Sequence, residues 1–115
     1  MLRATYRGHV LAETPRTVRL EGNHYFPPDS LRADLLDKSR TRTLCPWKGI
    51  ARYYNLRLDD QVAADVGWVY HHPSPLARRI KDHMAFCPGV VIEGEPDQQP
   101  PRLSTRLRRL FGTRP

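Results

Sequence analysis

The chain has 115 residues, a formal charge of +7, eleven prolines and seven glycines, and 39% apolar residues. That length holds one domain with a thin core, and the composition favours short strands and many turns over long helices. No apolar run reaches the roughly 20 residues of a membrane-spanning helix, and the alternating N-terminus MLRATYRGHVLAE is unlike a signal peptide.

Arg3 to Ala12 alternates weakly about Arg7-Gly8-His9, the pattern of two short strands joined by a tight turn. Glu13 to Arg16 is a second turn, Thr17 to Leu20 a strand, and Gly22-Asn23 a third turn before His24-Tyr25-Phe26, which has strand composition. Pro27-Pro28 stops that strand. Asp29 or Ser30 then caps a single helical turn, or Ser30 to Leu36 is extended; the residues leave both open. Asp37 to Arg42 is polar and charged and reads as a loop.

The chemistry concentrates in TLCPWKGIARYY, Thr43 to Tyr54. Pro46 disfavours a helical conformation at Cys45, and Gly49 permits a sharp turn, so Cys45 and Lys48 lie on a tight connection feeding a strand. On that strand Ile50, Arg52, Tyr54, Leu56 and Leu58 share one face, and Ala51, Tyr53, Asn55 and Arg57 the other. Asp59-Asp60 is a turn, Val66 to Tyr70 an aromatic-rich strand, and His71 to Pro75 another break. Leu76 to Phe86 carries Leu76, Ile80 and Met84 at helical spacing, with Ser74 as N-cap and Pro75 at the first position, which predicts one short helix. Val90-Val91-Ile92 is the last strand of a domain over residues 1–94. Beyond it, residues 95–115 form a Pro/Arg-rich tail, disordered or a short amphipathic helix over Leu103 to Phe111. From Pro96 onward five arginines face one aspartate, leaving fourteen basic and eleven acidic residues in the body. Over half of the excess charge is therefore on the tail.

The segments Glu21-Gly22-Asn23-His24-Tyr25-Phe26-Pro27, Thr43-x-Cys45-Pro46-Trp47-Lys48-Gly49-x-Ala51-x-Tyr53-Tyr54 and Gly67-Trp68-x-Tyr70-x-x-Pro73 resemble, in that order, the "domain of unknown function 427" family. Ala85-Phe86 and Val90-x-Ile92-Glu93 continue the resemblance, which spans about residues 3 to 94. It implies a compact mainly β domain of Mss4-like, or β-tent, topology, with antiparallel sheets meeting like the sides of a tent. Relatives of that topology include methionine sulfoxide reductases and zinc-stabilised binding domains. A nucleotidyltransferase label sometimes accompanies the family. The chain lacks the glycine-rich phosphate loop and paired carboxylates which that chemistry needs, so the label is not carried over.

Three site chemistries follow. Zinc needs about four Cys or His ligands, commonly in close pairs. Cys45 and Cys87 each lack such a partner, and adding His24 with His71 or His72 makes only a scattered set, so no metal and no cofactor are expected. Cys45 is a candidate nucleophile, with Lys48 favouring its thiolate and Gly49 turning amides toward an oxyanion; a small buried thiol is the plainer account. Glu21 and Lys48 are the other catalytic candidates. With them Asn23, His24, Tyr25, Trp47, Tyr53, Trp68 and Tyr70 make an aromatic pocket suited to a small polar ligand, or else an ion pair among half-buried strand tyrosines.

The expectation is a small cytoplasmic domain, its cysteines reduced, binding a small polar molecule in a pocket lined by EGNHYFP and CPWKG, with catalysis left open. The alternatives are a protein-interaction or scaffold domain whose polar motif is structural, or weak nucleic-acid binding through the tail; a homodimer is left open in either case. The same arginines suit other anionic surfaces.

Overall fold

The structure is a computed structural model and describes residues 1–97. Strands β1 (Leu2–Tyr6) and β2 (His9–Thr14) form a hairpin, with β9 (Val91–Gly94) on the other side of β1. Its loop residues Arg7 and Gly8 both have positive φ, 49° and 82°, the twist that a two-residue hairpin turn requires. A second hairpin joins β3 (Val18–Leu20) to β4 (Asn23–Tyr25) through Glu21 and Gly22, again both at positive φ. Four antiparallel strands make the largest sheet, in order β5 (Leu36–Cys45), β6 (Gly49–Arg57), β7 (Val62–Val69) and β8 (Met84–Phe86). Short 3-10 turns at Pro28–Ser30 and Ala33–Leu35 lead into β5, and a kinked 3-10 helix, Pro75–Ile80, precedes β8. The mainly β, antiparallel architecture expected from the sequence holds.

Phe26 and Met84 exchange backbone hydrogen bonds of 2.8 and 2.9 Å, which tie the end of β4 to β8. Two apolar clusters form the core. Leu2, Ala4 and Leu11 of the first sheet pack with Phe26, Leu56, Val69 and Met84. Tyr25, Ala51, Tyr70, Ala77, Ile80 and Ala85 form the second. Alternate residues of β6 divide between them: Tyr54 and Leu56 join the first, Ala51 and Tyr53 the second. The face assignment read from the sequence is therefore the one that folds.

Two local expectations are corrected. Asp37 to Arg42, expected as a loop, lies within the ten-residue β5; most of its residues are exposed, so no inside-outside alternation marks it. The helix expected over Leu76 to Phe86 ends at Ile80. Leu76 is 81% exposed, and Met84, Ala85 and Phe86 are all buried, a demand that a strand between β7 and the end of β4 meets and a one-faced helix does not. Ser74 does not cap the 3-10 helix with its side chain; its hydroxyl donates to the Trp47 carbonyl at 2.6 Å. The expected tail helix over Leu103 to Phe111 lies outside the described residues. No helix among the described residues is long and apolar enough to cross a membrane.

Candidate functional site

The β3–β4 turn and the β5–β6 turn meet. Glu21, at φ 53°, projects its carboxylate onto the Lys48 ammonium in an ion pair and accepts a hydrogen bond from Trp47 Nε1 at 3.1 Å. A glutamate in the left-handed region is uncommon; the second partner of the two-residue turn, Gly22, is the residue type that conformation favours. Lys48 is 6% exposed, with Nζ 5.4 Å from the Tyr70 ring centroid and 5.5 Å from that of Trp47. Its carbonyl accepts the Ser74 N–H at 2.9 Å, so the turn is fastened to the His71–Pro75 segment. Gly49 sits at φ 117°, where a β-carbon would come within 3.3 Å of the His72 carbonyl oxygen.

Charge here is settled by these contacts. The Lys48 hydrogen bond, then the Trp47 one, hold the Glu21 carboxyl below the usual range. Burial works against the Lys48 ammonium, but Glu21 and the Tyr25 and Tyr70 hydroxyls outweigh it and raise its pKa. Burial pushes Tyr25 and Tyr70 upward. Trp68 Nε1 donates to the Tyr25 hydroxyl at 3.2 Å, and its ring lies 6.0 Å from that of Tyr53.

The structure thus brings Glu21, Tyr25, Trp47, Lys48, Tyr53, Trp68 and Tyr70 into one neighbourhood, with Cys45 packed beside it. The interior is filled: Tyr25 is fully buried, and Tyr70 is 4% exposed. Asn23 and His24 stand on β4, where His24 Nδ1 bonds the Thr17 hydroxyl at 2.6 Å and the ring lines a different cavity with Arg16 and Arg19. Among the described residues, no group of three or more His, Cys, Asp and Glu side chains is placed to hold a metal.

A larger concavity, about 840 Å³, lies on the opposite face of β6. Lys38 and Arg42 of β5 and Arg52 and Tyr54 of β6 line it, with His71, His72, Lys81 and Asp82 from the segment between β7 and β8. Register makes the crowding explicit: Arg42 stands directly opposite Arg52, and Lys38 opposite Tyr54. None of Lys38, Arg42, Arg52 and Lys81 has an ion-pair partner among the described residues, and Arg52 Nε is buried without a hydrogen-bond partner there. The carboxylate that lines the cleft, Asp82, is engaged with His71 Nδ1 at 2.8 Å, while His71 Nε2 meets the Tyr54 hydroxyl at 2.8 Å. With Asp82 accepting from Nδ1–H, Nε2 is free to accept the tyrosine proton. Burial raises the Tyr54 pKa, so the phenol is the donor at neutral pH. Asp82 has φ 61°, a left-handed conformation held where its carboxylate orients the imidazole. This arrangement can neutralise an anion and pass a proton along Tyr54, His71 and Asp82.

Apart from His71 and His72, considered above as a possible metal ligand, the cleft residues were not singled out as a site from the sequence. Arg52 and Tyr54 were placed on one strand face, but the cations opposite them lay in the segment expected to be a loop.

Fold and site together define a small mainly β domain with a packed polar–aromatic cluster on one side of its main sheet and a basic cleft on the other. The chain belongs to the family described as "domain of unknown function (DUF427)", whose model matches residues 1–96. No curated protein matches the chain.

Proposed function

We propose that the domain binds a small, negatively charged polar molecule in the cleft between β5, β6 and the His71–Asp82 segment. The observation that carries this is the Arg42–Arg52 pair. Like charges directly opposite across two strands destabilise a sheet, and neither arginine has an ion-pair partner among the described residues. An anion seated between the two guanidinium groups removes that repulsion and gains charge-assisted hydrogen bonds. The His71 imidazole, oriented by Asp82, stands at the same site as a proton acceptor, which supports acid–base work on the bound molecule.

The Glu21–Lys48–Trp47 cluster reads best as the joint that fastens three turns together. Its buried rings and paired charges leave the ligand to the other face of β6, so the small-molecule reading of the sequence is kept and its site is moved.

Titrating phosphate and a panel of small carboxylates and phosphate esters into isotope-labelled protein tests this. The expected result is saturable, salt-sensitive shifts at Arg42, Arg52, Tyr54 and His71, weakened about tenfold or more by Arg52→Gln, the scale of a lost hydrogen bond to a charged group. Shifts confined to Glu21, Trp47 and Lys48 would return the site to the first face, and no shift at any of them would favour the scaffold reading.

A further inference from the structure

A second cavity, about 370 Å³, adjoins the basic cleft, and the two share one wall: Tyr54, His71 and Asp82 line both. Beyond that wall the lining changes character, to Pro28, Leu31, Ala33, Leu36, Val69 and Met84. The change falls between successive residues of one strand face. Leu36 and Lys38 are two apart on β5, so they point to the same side, and stand opposite Leu56 and Tyr54 respectively. Leu36 lines the apolar cavity and Lys38 the basic one. A purely ionic ligand leaves the apolar cavity unexplained, and a purely apolar one leaves four cations without ion-pair partners among the described residues.

We propose that the ligand is amphipathic: a short-chain alkyl phosphate monoester, with its phosphate among Arg42, Arg52 and Lys38 and its chain beside Leu31, Leu36 and Met84. This rests on the anion-binding reading above and adds the apolar half. A phosphate monoester fits better than a carboxylate because its two charges and three terminal oxygens match several separate cationic donors. The bridging ester oxygen then falls at the Tyr54–His71–Asp82 wall that the two cavities share.

The test compares inorganic phosphate with methyl, butyl and hexyl phosphate, and with hexanoate, on the full chain by calorimetry at concentrations where none forms micelles. Affinity is expected to rise from methyl to butyl phosphate by about two- to fourfold per methylene, the scale of methylene burial, and then level off as the cavity fills. Ala33→Trp fills the apolar cavity from an exposed position. It is expected to abolish the chain-length dependence and leave inorganic phosphate binding unchanged, with an unaltered melting temperature as the folding check. Should that variant fail to fold, the methyl signals of Leu31, Leu36 and Met84 in the unmodified protein serve instead, shifting with butyl phosphate and not with inorganic phosphate. Phosphate binding with no dependence on chain length overturns the inference and leaves the anion site standing. Hexanoate binding as tightly as hexyl phosphate overturns the choice of head group. The absence of binding by every compound overturns both readings together.

Discussion

Glu21 uses its backbone to turn one hairpin and its side chain to hold another. The consequences of the second role can be measured. Lys48 is nearly enclosed, whereas Glu21 is about half exposed, with side-chain exposures of 8% and 45%. Removing the carboxylate therefore strands a buried ammonium, while removing the ammonium leaves a carboxylate that water can solvate. Glu21→Leu is expected to lower the melting temperature more than Lys48→Met does. The double variant should recover most of the loss, because apolar replacements need no desolvation. Thermal unfolding of the three proteins checks this ordering; a double variant as unstable as the sum of the singles would contradict it. The same asymmetry explains why the sequence located this cluster but not its nature. Glu21, Tyr25, Trp47, Lys48, Tyr53, Trp68 and Tyr70 were grouped from their chemistry with Asn23 and His24, of which His24 bonds Thr17 and lines another cavity instead. Whether they enclosed a space or filled one depends on the packing of Tyr25, Ala51 and Tyr70 across two sheets, which residue type does not encode.

At the level of strands, β7 and β8 come together through Gly67. A β-carbon there would lie 2.8 Å from the Ala85 carbonyl oxygen and 3.0 Å from Met84 Sδ. The backbone oxygen cannot yield without moving β8, and β8 is held on its other side by the Phe26 bridge. Gly67→Ala is accordingly expected to destabilise the protein by about 1–3 kcal/mol, the range for overpacking a close contact. Chemical denaturation measures it, and a change below about 0.5 kcal/mol would show that the strands have slack. Strands were legible where burial alternates, as in β6, or where aromatic and β-branched residues cluster, as in β7. They were illegible where both faces are wet or both are dry. β5 shows the first case, since its charged residues look like a loop until β6 supplies a register. β8 shows the second, since Met84-Ala85-Phe86 continued an apolar period that began at Leu76 and suited a helix equally well. The cleft was lost with β5, because half of its cations stand on that strand.

For the molecule as a whole, the perturbed groups fix a pH window. The burial of His24, then the charge of Arg19, lower its pKa, and Lys48 and Trp47 do the same for Glu21, as Arg32 does for Asp34. Each of these takes up protons more readily when unfolded, so each favours the fold at higher pH and ceases to as pH falls through its folded value. Lys48, Tyr25, Tyr54, Tyr70 and, through partial burial, the Cys87 thiol are raised, and their contribution is lost as pH climbs past the unfolded values, about 8.5 for the thiol and about 10 for the others. The melting temperature is expected to be flat between about pH 7 and 8, with Cys87 the first group to lose its contribution above that. It should decline first below about pH 6.5 with His24 and again in the carboxylate range, where the exposed Glu21 and Asp34 add little. A melting temperature that already falls between about pH 7 and 8 would contradict these directions.

The outer side of β5 has no strand beside it among the described residues, leaving a ten-residue row of backbone donors and acceptors open to pairing. Such a row is a template for adding another chain, and Lys38, Arg40 and Arg42 along it act as its guard. Two copies brought edge to edge would place these cations against one another. Lys38 and Arg42, which line the cleft proposed to take an anion, would therefore also oppose such pairing. Occupancy by a multivalent anion, by quenching that repulsion, would leave the most adhesive edge of the sheet least defended.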